Sequence, residues 1–122
     1  MLNPGAPIPA FLLPLRGKVA AWLGVEEESF GHALVNEYRP GTPLGWHRDT
    51  PEFELVAGVS LGGPARMRFR RYPPQPREKA YTLDVAPRSA YVLRGEARWG
   101  WQHSVSPTPG LRYSVTFRTL RT

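Results

Sequence analysis

The sequence predicts a mainly β fold, a double-stranded β-helix (jelly roll) with one short N-terminal helix. From residue 33 onward, eight short segments with strand character alternate with turns rich in Gly and Pro. Only residues 15–23 place apolar side chains at helical spacing. The chain has 122 residues, which suits one β domain of ordinary size.

Residues 1–32 are expected to form an N-terminal segment that packs on the β domain of residues 33–122. Pro and Gly recur over residues 1–14, and this predicts extended or irregular backbone. The helix of residues 15–23 presents Leu15, Val19, Trp22 and Leu23 on one face, and Gly24 is a suitable stop. An apolar face of this kind predicts packing on the β core.

The eight predicted strands are separated by residues that favour turns. They span residues 33–38, 44–48, 56–61, 65–72, 80–85, 90–93, 100–105 and 112–120. Turn signals such as Arg39-Pro40-Gly41 and Gly62-Gly63-Pro64 follow the first and third of them. Many short strands with a single helix favour two sheets that enclose a pocket.

The second predicted strand carries His47 near its end, and Asp49 follows one residue later. Side chains two positions apart project from the same face of a strand, so both can contact one ion. With the distant His103, they form the two-histidine, one-carboxylate set that binds iron(II) and leaves positions open for O₂ and a co-substrate. Either part alone has an ordinary explanation: a chance surface pair, or a core histidine. The combination on predicted strands favours a metal site.

Arg112 and Arg118 lie on one face of the last predicted strand because they are six positions apart, an even offset. Six residues of strand span about 20 Å, and two arginines reaching inward by about 6 Å each leave about 7 Å. That gap suits a five-carbon diacid such as 2-oxoglutarate, which a guanidinium grips through two hydrogen bonds. A solvated strand face is the alternative.

Charge and composition limit the classes of partner. The formal net charge is +6, and Arg66, Arg68 and Arg70 alternate with Met67 and Phe69. A basic surface favours nucleic acid, although a solvated sheet face is the other interpretation. The chain lacks cysteine, which excludes disulfides, zinc–thiolate sites and iron–sulfur clusters. We expect a cytoplasmic monomer without membrane contact.

The motifs resemble those of the AlkB-like 2-oxoglutarate/iron(II) dioxygenases. In order, the matching segments are Asn36-Glu37-Tyr38-Arg39-Pro40-Gly41, Trp46-His47-Arg48-Asp49, Ser60-Leu61-Gly62, Trp101-Gln102-His103 and Arg112-Tyr113-Ser114-Val115-Thr116-Phe117-Arg118. The last segment is the most specific. The resemblance covers residues 33–122 and implies the same jelly-roll fold.

This resemblance assigns roles to individual residues. The catalytic iron(II) ligands would be His47, Asp49 and His103. Arg112 would pair with the far carboxylate of 2-oxoglutarate, and Arg118 would lie near its keto-acid end. Another two residues that share a strand face, Asn36 and Tyr38, would hydrogen-bond to the same co-substrate.

The implied activity is oxidative demethylation of alkylated bases in single-stranded DNA or RNA, with O₂ as second co-substrate. Such a base must be unpaired and stacked on a flat surface, which Trp46, Trp99 or Trp101 beside the proposed ligands could supply. Family members usually carry more residues before the Asn36 motif, so a nucleotide-gripping lid is not expected here. Two alternatives stay open: the same chemistry on a protein or RNA-modification substrate, and a catalytically inactive jelly roll that binds nucleic acid or a partner.

Overall fold

The N-terminal helix, α1, spans Leu13–Leu23 and follows a 3-10 turn at Ala10–Leu12. The computed structural model describes residues 7–122, so residues 1–6 of the predicted extended segment lie outside the described part. α1 begins two residues before the predicted start, because Pro14 fits the first turn, where its missing N–H breaks no helical hydrogen bond. Gly24 ends the helix in the left-handed conformation, with φ of 69°.

Eight strands form two four-stranded antiparallel sheets, which confirms the predicted jelly roll. The strands are β1 Phe30–Tyr38, β2 Leu44–His47, β3 Phe53–Gly62, β4 Ala65–Arg71, β5 Tyr81–Val85, β6 Ser89–Leu93, β7 Trp101–Val105 and β8 Arg112–Leu120. The major sheet has the order β1-β8-β3-β6 and the minor sheet the order β2-β7-β4-β5. Consecutive strands therefore lie in opposite sheets, except β4 and β5, which pair in the minor sheet, and this is the topology of a double-stranded β-helix.

Several boundaries differ from the sequence prediction. β1 and β3 each begin three residues earlier than predicted, and β1 therefore starts before residue 33. A short helix, α2, spans Glu96–Trp99 in the segment expected to be a turn. Neither helix in residues 7–122 is long and apolar enough to cross a membrane.

Apolar packing covers the outer face of the major sheet. Val19 and Ala20 of α1 are buried in one cluster with Phe30 and Phe117, whose rings are 5.9 Å apart. Trp22 departs from the prediction: it is 54% exposed, because Leu15, Val19 and Leu23 make the contact with the sheet. Since α1 covers the outer face, the inner face of the major sheet is left to line a cavity.

Candidate metal and co-substrate site

A cavity of about 260 Å³ lies between the two sheets. All of the residues predicted for the site line it: Asn36, Tyr38, His47, Asp49, His103, Arg112 and Arg118. Strand alternation explains this arrangement on β8, where the even-numbered residues from Arg112 to Arg118 line the cavity, whereas Val115 and Phe117 pack toward α1. Residues that are far apart in the chain are therefore brought to one chamber.

The three proposed metal ligands converge at one end of the cavity. His47 on β2 lies opposite His103 on β7 in the strand register, and Asp49 lies two residues after the end of β2. Donor atoms of the three residues all lie within 4.8 Å of one another. Oδ1 of Asp49 is 4.0 Å from Nε2 of His47 and 3.9 Å from Nε2 of His103. Three donors at such distances leave room for an ion between them.

The protonation of the two histidines suits metal binding. Nδ1 of His47 is 2.9 Å from the carbonyl oxygen of Gly45; because a carbonyl only accepts, Nδ1 carries the hydrogen and Nε2 offers its lone pair. Burial, reinforced by the neighbouring His47, lowers the pKa of His103 from 6.5 to about 4. At neutral pH, His103 is therefore the neutral imidazole that binds metals. Two imidazole nitrogens and one carboxylate oxygen fit iron(II).

Arg118 holds the carboxylate ligand in place. Its Nε donates a 2.5 Å hydrogen bond to Oδ2 of Asp49, and its Nη1 donates to Oγ1 of Thr116 at 2.6 Å. The bond to Oδ2 leaves Oδ1 directed at the two histidines. Sequence reasoning placed Arg118 near the keto-acid end of 2-oxoglutarate and did not anticipate this contact with a metal ligand; its contact with the co-substrate stays a prediction.

Arg112 is a buried cation without an acidic partner. Arg112 is only 1% exposed, and its Nε donates a hydrogen bond to Oγ of Ser60 at 2.9 Å. The guanidinium carbon lies 5.0 Å from the ring centre of Tyr38. Within residues 7–122, no carboxylate forms an ion pair with Arg112. A buried charge in this state is costly, which indicates that the cavity is built for an anionic ligand.

Asn36 and Tyr38 face the same chamber from β1. In the strand register, Asn36 lies opposite Ser114 and Tyr38 lies opposite Arg112. Both line the cavity, as expected from their shared parity. The structure thus brings Tyr38 beside Arg112 and Asn36 beside Ser114, and their hydrogen bonds to a co-substrate stay a prediction.

Tyr91 is a cavity residue that the sequence reasoning missed. It projects from β6 into the cavity and packs directly over Gly58 of β3, its partner in the register. Burial raises the pKa of Tyr91, and the Arg112 charge opposes this only in part. The phenol is therefore a protonated donor beside the guanidinium. The signal in the sequence was its position within the predicted strand of residues 90–93; the pairing with β3 that places it over Gly58 appears only in the structure.

Arg98 fixes the segment that follows Asp49. It is 3% exposed, and its Nη2 donates hydrogen bonds of 2.8 Å to the carbonyl oxygens of Thr50 and Phe53. Trp99 lies against the guanidinium, with its ring centre 4.1 Å from the guanidinium carbon. Through these contacts, α2 holds the loop between β2 and β3, and with it the backbone next to a metal ligand.

The three tryptophans considered for base stacking lie elsewhere. None of Trp46, Trp99 and Trp101 lines the cavity. Trp46 alternates with His47 on β2 and so points to the opposite face of the minor sheet. Nε1 of Trp99 donates to Glu54 at 3.1 Å. Parity along the strand could have excluded Trp46 from the sequence alone.

Comparison with known proteins gives a family and a fold. Residues 2–118 match the model of the 2OG-Fe(II) oxygenase superfamily. The chain is 27% identical over 135 residues to an uncharacterised protein of Acanthamoeba polyphaga mimivirus, covering 92% of this chain and 63% of the relative. It is 33% identical over 119 residues to the "Alkylated DNA repair protein ALKBH8 homolog" of Arabidopsis thaliana, covering 80% of this chain and 34% of that protein.

Solved structures share the fold at low identity. OsALKBH1 superimposes with a TM-score of 0.61 at 23% identity, over 73% of this chain and 48% of its own. An oxalate oxidase does so with a TM-score of 0.56 at 16% identity, over 73% and 41%. The chain spans less than two thirds of each of these four relatives. With a match over nearly its whole length and an AlkB-type set of motifs, the chain belongs to the 2OG-Fe(II) oxygenase superfamily.

Proposed function

We propose that this chain is an Fe(II)- and 2-oxoglutarate-dependent dioxygenase that oxidatively demethylates alkylated bases in single-stranded DNA or RNA. One observation carries the proposal: the same cavity contains a cluster of His47, Asp49 and His103 and the unpaired cation of Arg112. A metal chelated at one end and an anion bound at the other is the arrangement that a keto diacid requires.

The proposal assigns the metal to His47, Asp49 and His103. When bound together with 2-oxoglutarate and O₂, iron(II) supplies the oxidation of a substrate C–H bond. Arg118 fixes one oxygen of Asp49 and leaves the other for the metal. These protein contacts exist before any ligand binds, so little reorganisation is required.

The far carboxylate of 2-oxoglutarate is assigned to Arg112. Ser60 holds Nε of this arginine, so the remaining N–H groups can form the bidentate grip that a carboxylate accepts. Tyr91, kept protonated by burial, can donate to the same anion. Apolar side chains of Val56, Met67 and Leu93 complete the walls and exclude water from the oxidation.

Two observations support nucleic acid as the substrate. The net charge of +6 favours a polyanion, and the Arabidopsis relative is described as an alkylated DNA repair protein. The same chemistry on a protein side chain or modified RNA is the competing proposal, and an inactive binding module is a third. We also propose that the chain is a cytoplasmic monomer, which light scattering and cell fractionation would test.

Succinate production tests the proposal. The purified chain is loaded anaerobically with Fe(II) and then given 2-oxoglutarate and O₂, with or without a methylated single-stranded oligonucleotide. We expect oligonucleotide-stimulated succinate with formaldehyde release, both lost in His47→Ala and Arg112→Ala. Arg88→Gln is the matched control, because Arg88 lies outside the cavity. Turnover that ignores the oligonucleotide would reject the substrate, and no turnover in an Fe(II)-loaded parent would reject the activity of this chain.

A further inference from the structure

The outer face of the minor sheet carries arginines stacked on aromatic rings. Because His47 faces the cavity, its strand neighbour Trp46 points away from it. Arg48, the first residue after β2, lies at the edge of the cavity and places its guanidinium on the Tyr72 ring. On β4, Met67 packs between the sheets, so Arg68 and Arg70 also point outward. The arginine–aromatic face is defined here as Trp46, Arg48, Arg68, Arg70 and Tyr72.

Its cations are held by defined contacts. The guanidinium carbons of Arg70 and Arg68 lie 4.5 Å and 5.4 Å from the ring centre of Trp46. That of Arg48 lies 3.7 Å from the ring centre of Tyr72. In addition, Nη1 of Arg48 donates to the carbonyl oxygen of Trp99 at 2.8 Å. Stacking occupies the flat side of a guanidinium and leaves N–H groups on its edge for a ligand.

The three arginines of this face lack carboxylate partners. Over the described range 7–122, Arg48, Arg68 and Arg70 form no ion pair. Arg70 instead donates Nε to the amide oxygen of Gln102 at 2.8 Å. By contrast, Arg66 on the same strand face donates to Asp84 at 3.0 Å. The face therefore has three fixed and uncompensated positive charges, which complement a polyanion.

The distances between these arginines favour a nucleic-acid strand as the ligand over a single anion. Arg68 and Arg70 are two residues apart on β4, so their Cα atoms are separated by about 7 Å, and Arg48 approaches from the segment that follows β2. Tyr72, 42% exposed, offers ring surface on which an unpaired base can stack. Cations in a row with aromatic surface between them are the elements of a single-strand binding groove.

We propose that the arginine–aromatic face binds the sugar–phosphate backbone of a single-stranded nucleic acid and leads it to the cavity. Arg48 connects the two, because it belongs to the face and also lines the mouth of the cavity. The claim that the bound nucleic acid is the substrate rests on the proposed function. The claim that the arginine–aromatic face binds a single-stranded nucleic acid does not. DNA and RNA share the phosphate backbone, and the probes below distinguish them.

Fluorescence anisotropy with labelled oligothymidylate and oligouridylate of about twelve nucleotides tests the face. The salt dependence of binding reports the number of phosphate contacts, because each contact on a single strand adds about 0.7 to the magnitude of the slope of log Kobs against log salt. We expect the double variant R68Q/R70Q to lower the slope of log Kobs against log salt by about 1.4 and to weaken binding about tenfold or more. The control R66Q, whose arginine is already paired, should stay within about twofold of the parent.

Further variants separate a binding role from a structural one. R68K/R70K keeps the charges but loses the flat stacking, so it should retain most of the salt slope. Arg48 stacks on Tyr72 and not on Trp46. R48Q alone should lower the magnitude of the salt slope by about 0.7, and this gives an independent readout if the double variant unfolds. An unchanged slope in R68Q/R70Q or R48Q, no binding by the parent, or equal affinity for a duplex of the same length would overturn the proposal.

Turnover separates this inference from the proposed function. With a methylated oligonucleotide, R68Q/R70Q should raise KM about tenfold or more and leave kcat near the parent value. A parent that binds strands with the expected slope but releases no formaldehyde would keep the face and reject the demethylase. Demethylation by R68Q/R70Q with the parent KM would reject the face and keep the demethylase.

Discussion

Replacing Gly58 with alanine should push Tyr91 into the cavity. A Cβ atom at Gly58 would lie 2.2 Å from Cζ and 2.5 Å from the hydroxyl oxygen of Tyr91. An ordinary carbon–carbon contact requires about 3.5 Å, so the ring must move by roughly 1 Å. The backbone of Gly58 cannot retreat, because β3 is hydrogen-bonded to β6 on one side and to β8 on the other.

The magnitude follows from two opposing effects. Overpacking of this size costs about 1–3 kcal/mol, and replacing a strand glycine recovers roughly 0.5–1 kcal/mol of chain entropy. We therefore expect Gly58→Ala to lose about 1–2 kcal/mol of unfolding free energy, or roughly 4–8 °C in Tm. The displaced ring also reduces the space beside Arg112, so the KM for 2-oxoglutarate should rise.

Thermal unfolding and succinate kinetics measure the two effects. Gly31→Ala is the matched control, because Gly31 lies in β1 and a Cβ there meets nothing within 4 Å. Tyr91→Ala removes the ring. In that background, Gly58→Ala should therefore lower the free energy of unfolding by less than it does in the parent. The reasoning is refuted if Gly58→Ala matches Gly31→Ala in both Tm and KM.

Three more outcomes follow from buried ionisable side chains. Arg112→Leu should raise the KM for 2-oxoglutarate at least about thirtyfold, whereas the Tm of the ligand-free protein should not fall, because an unpaired buried charge disappears; a large fall in Tm would contradict this. Arg98→Met should weaken metal binding about 10–100-fold by freeing the carbonyls of Thr50 and Phe53, measured by Mn(II) titration, and unchanged affinity would reject the clamp. The pKa of His103 is lowered to about 4 in the folded protein. As the pH falls, this histidine therefore takes up a proton in the unfolded chain before it does so in the folded one. Stability of the metal-free protein should then be constant above pH 6.5 and decrease by up to about 3 kcal/mol toward pH 4; urea unfolding of parent and His103→Asn, in which this loss should be absent, checks it.

Residue parity predicted most of the site. Alternation along β8 placed Arg112 and Arg118 on one face, and both line the cavity. These two side chains depend only on the local strand period, so the sequence carries the information; Asp49 lies beyond the end of β2, and its approach to His47 also depends on the backbone that follows the strand. The family match adds the fold that brings His103 opposite His47.

Contacts between distant segments could not be predicted in this way. The bond from Arg118 to Asp49 and the position of Arg98 under the loop after Asp49 depend on how the two sheets meet. α2 is too short for a helical pattern to show in the sequence. Trp22 illustrates the limit of periodicity, because an apolar residue at the edge of a helical stripe can remain exposed.

The most direct test of the account is an anaerobic titration of the Fe(II)-loaded chain with 2-oxoglutarate, followed by the visible charge-transfer absorption of the chelate. We expect saturation at one equivalent in the parent, much weaker binding in Arg112→Leu, and no absorption in His103→Ala. Absence of the band in a parent that holds Fe(II) would contradict the assignment of the cavity, as would an unchanged band in His103→Ala.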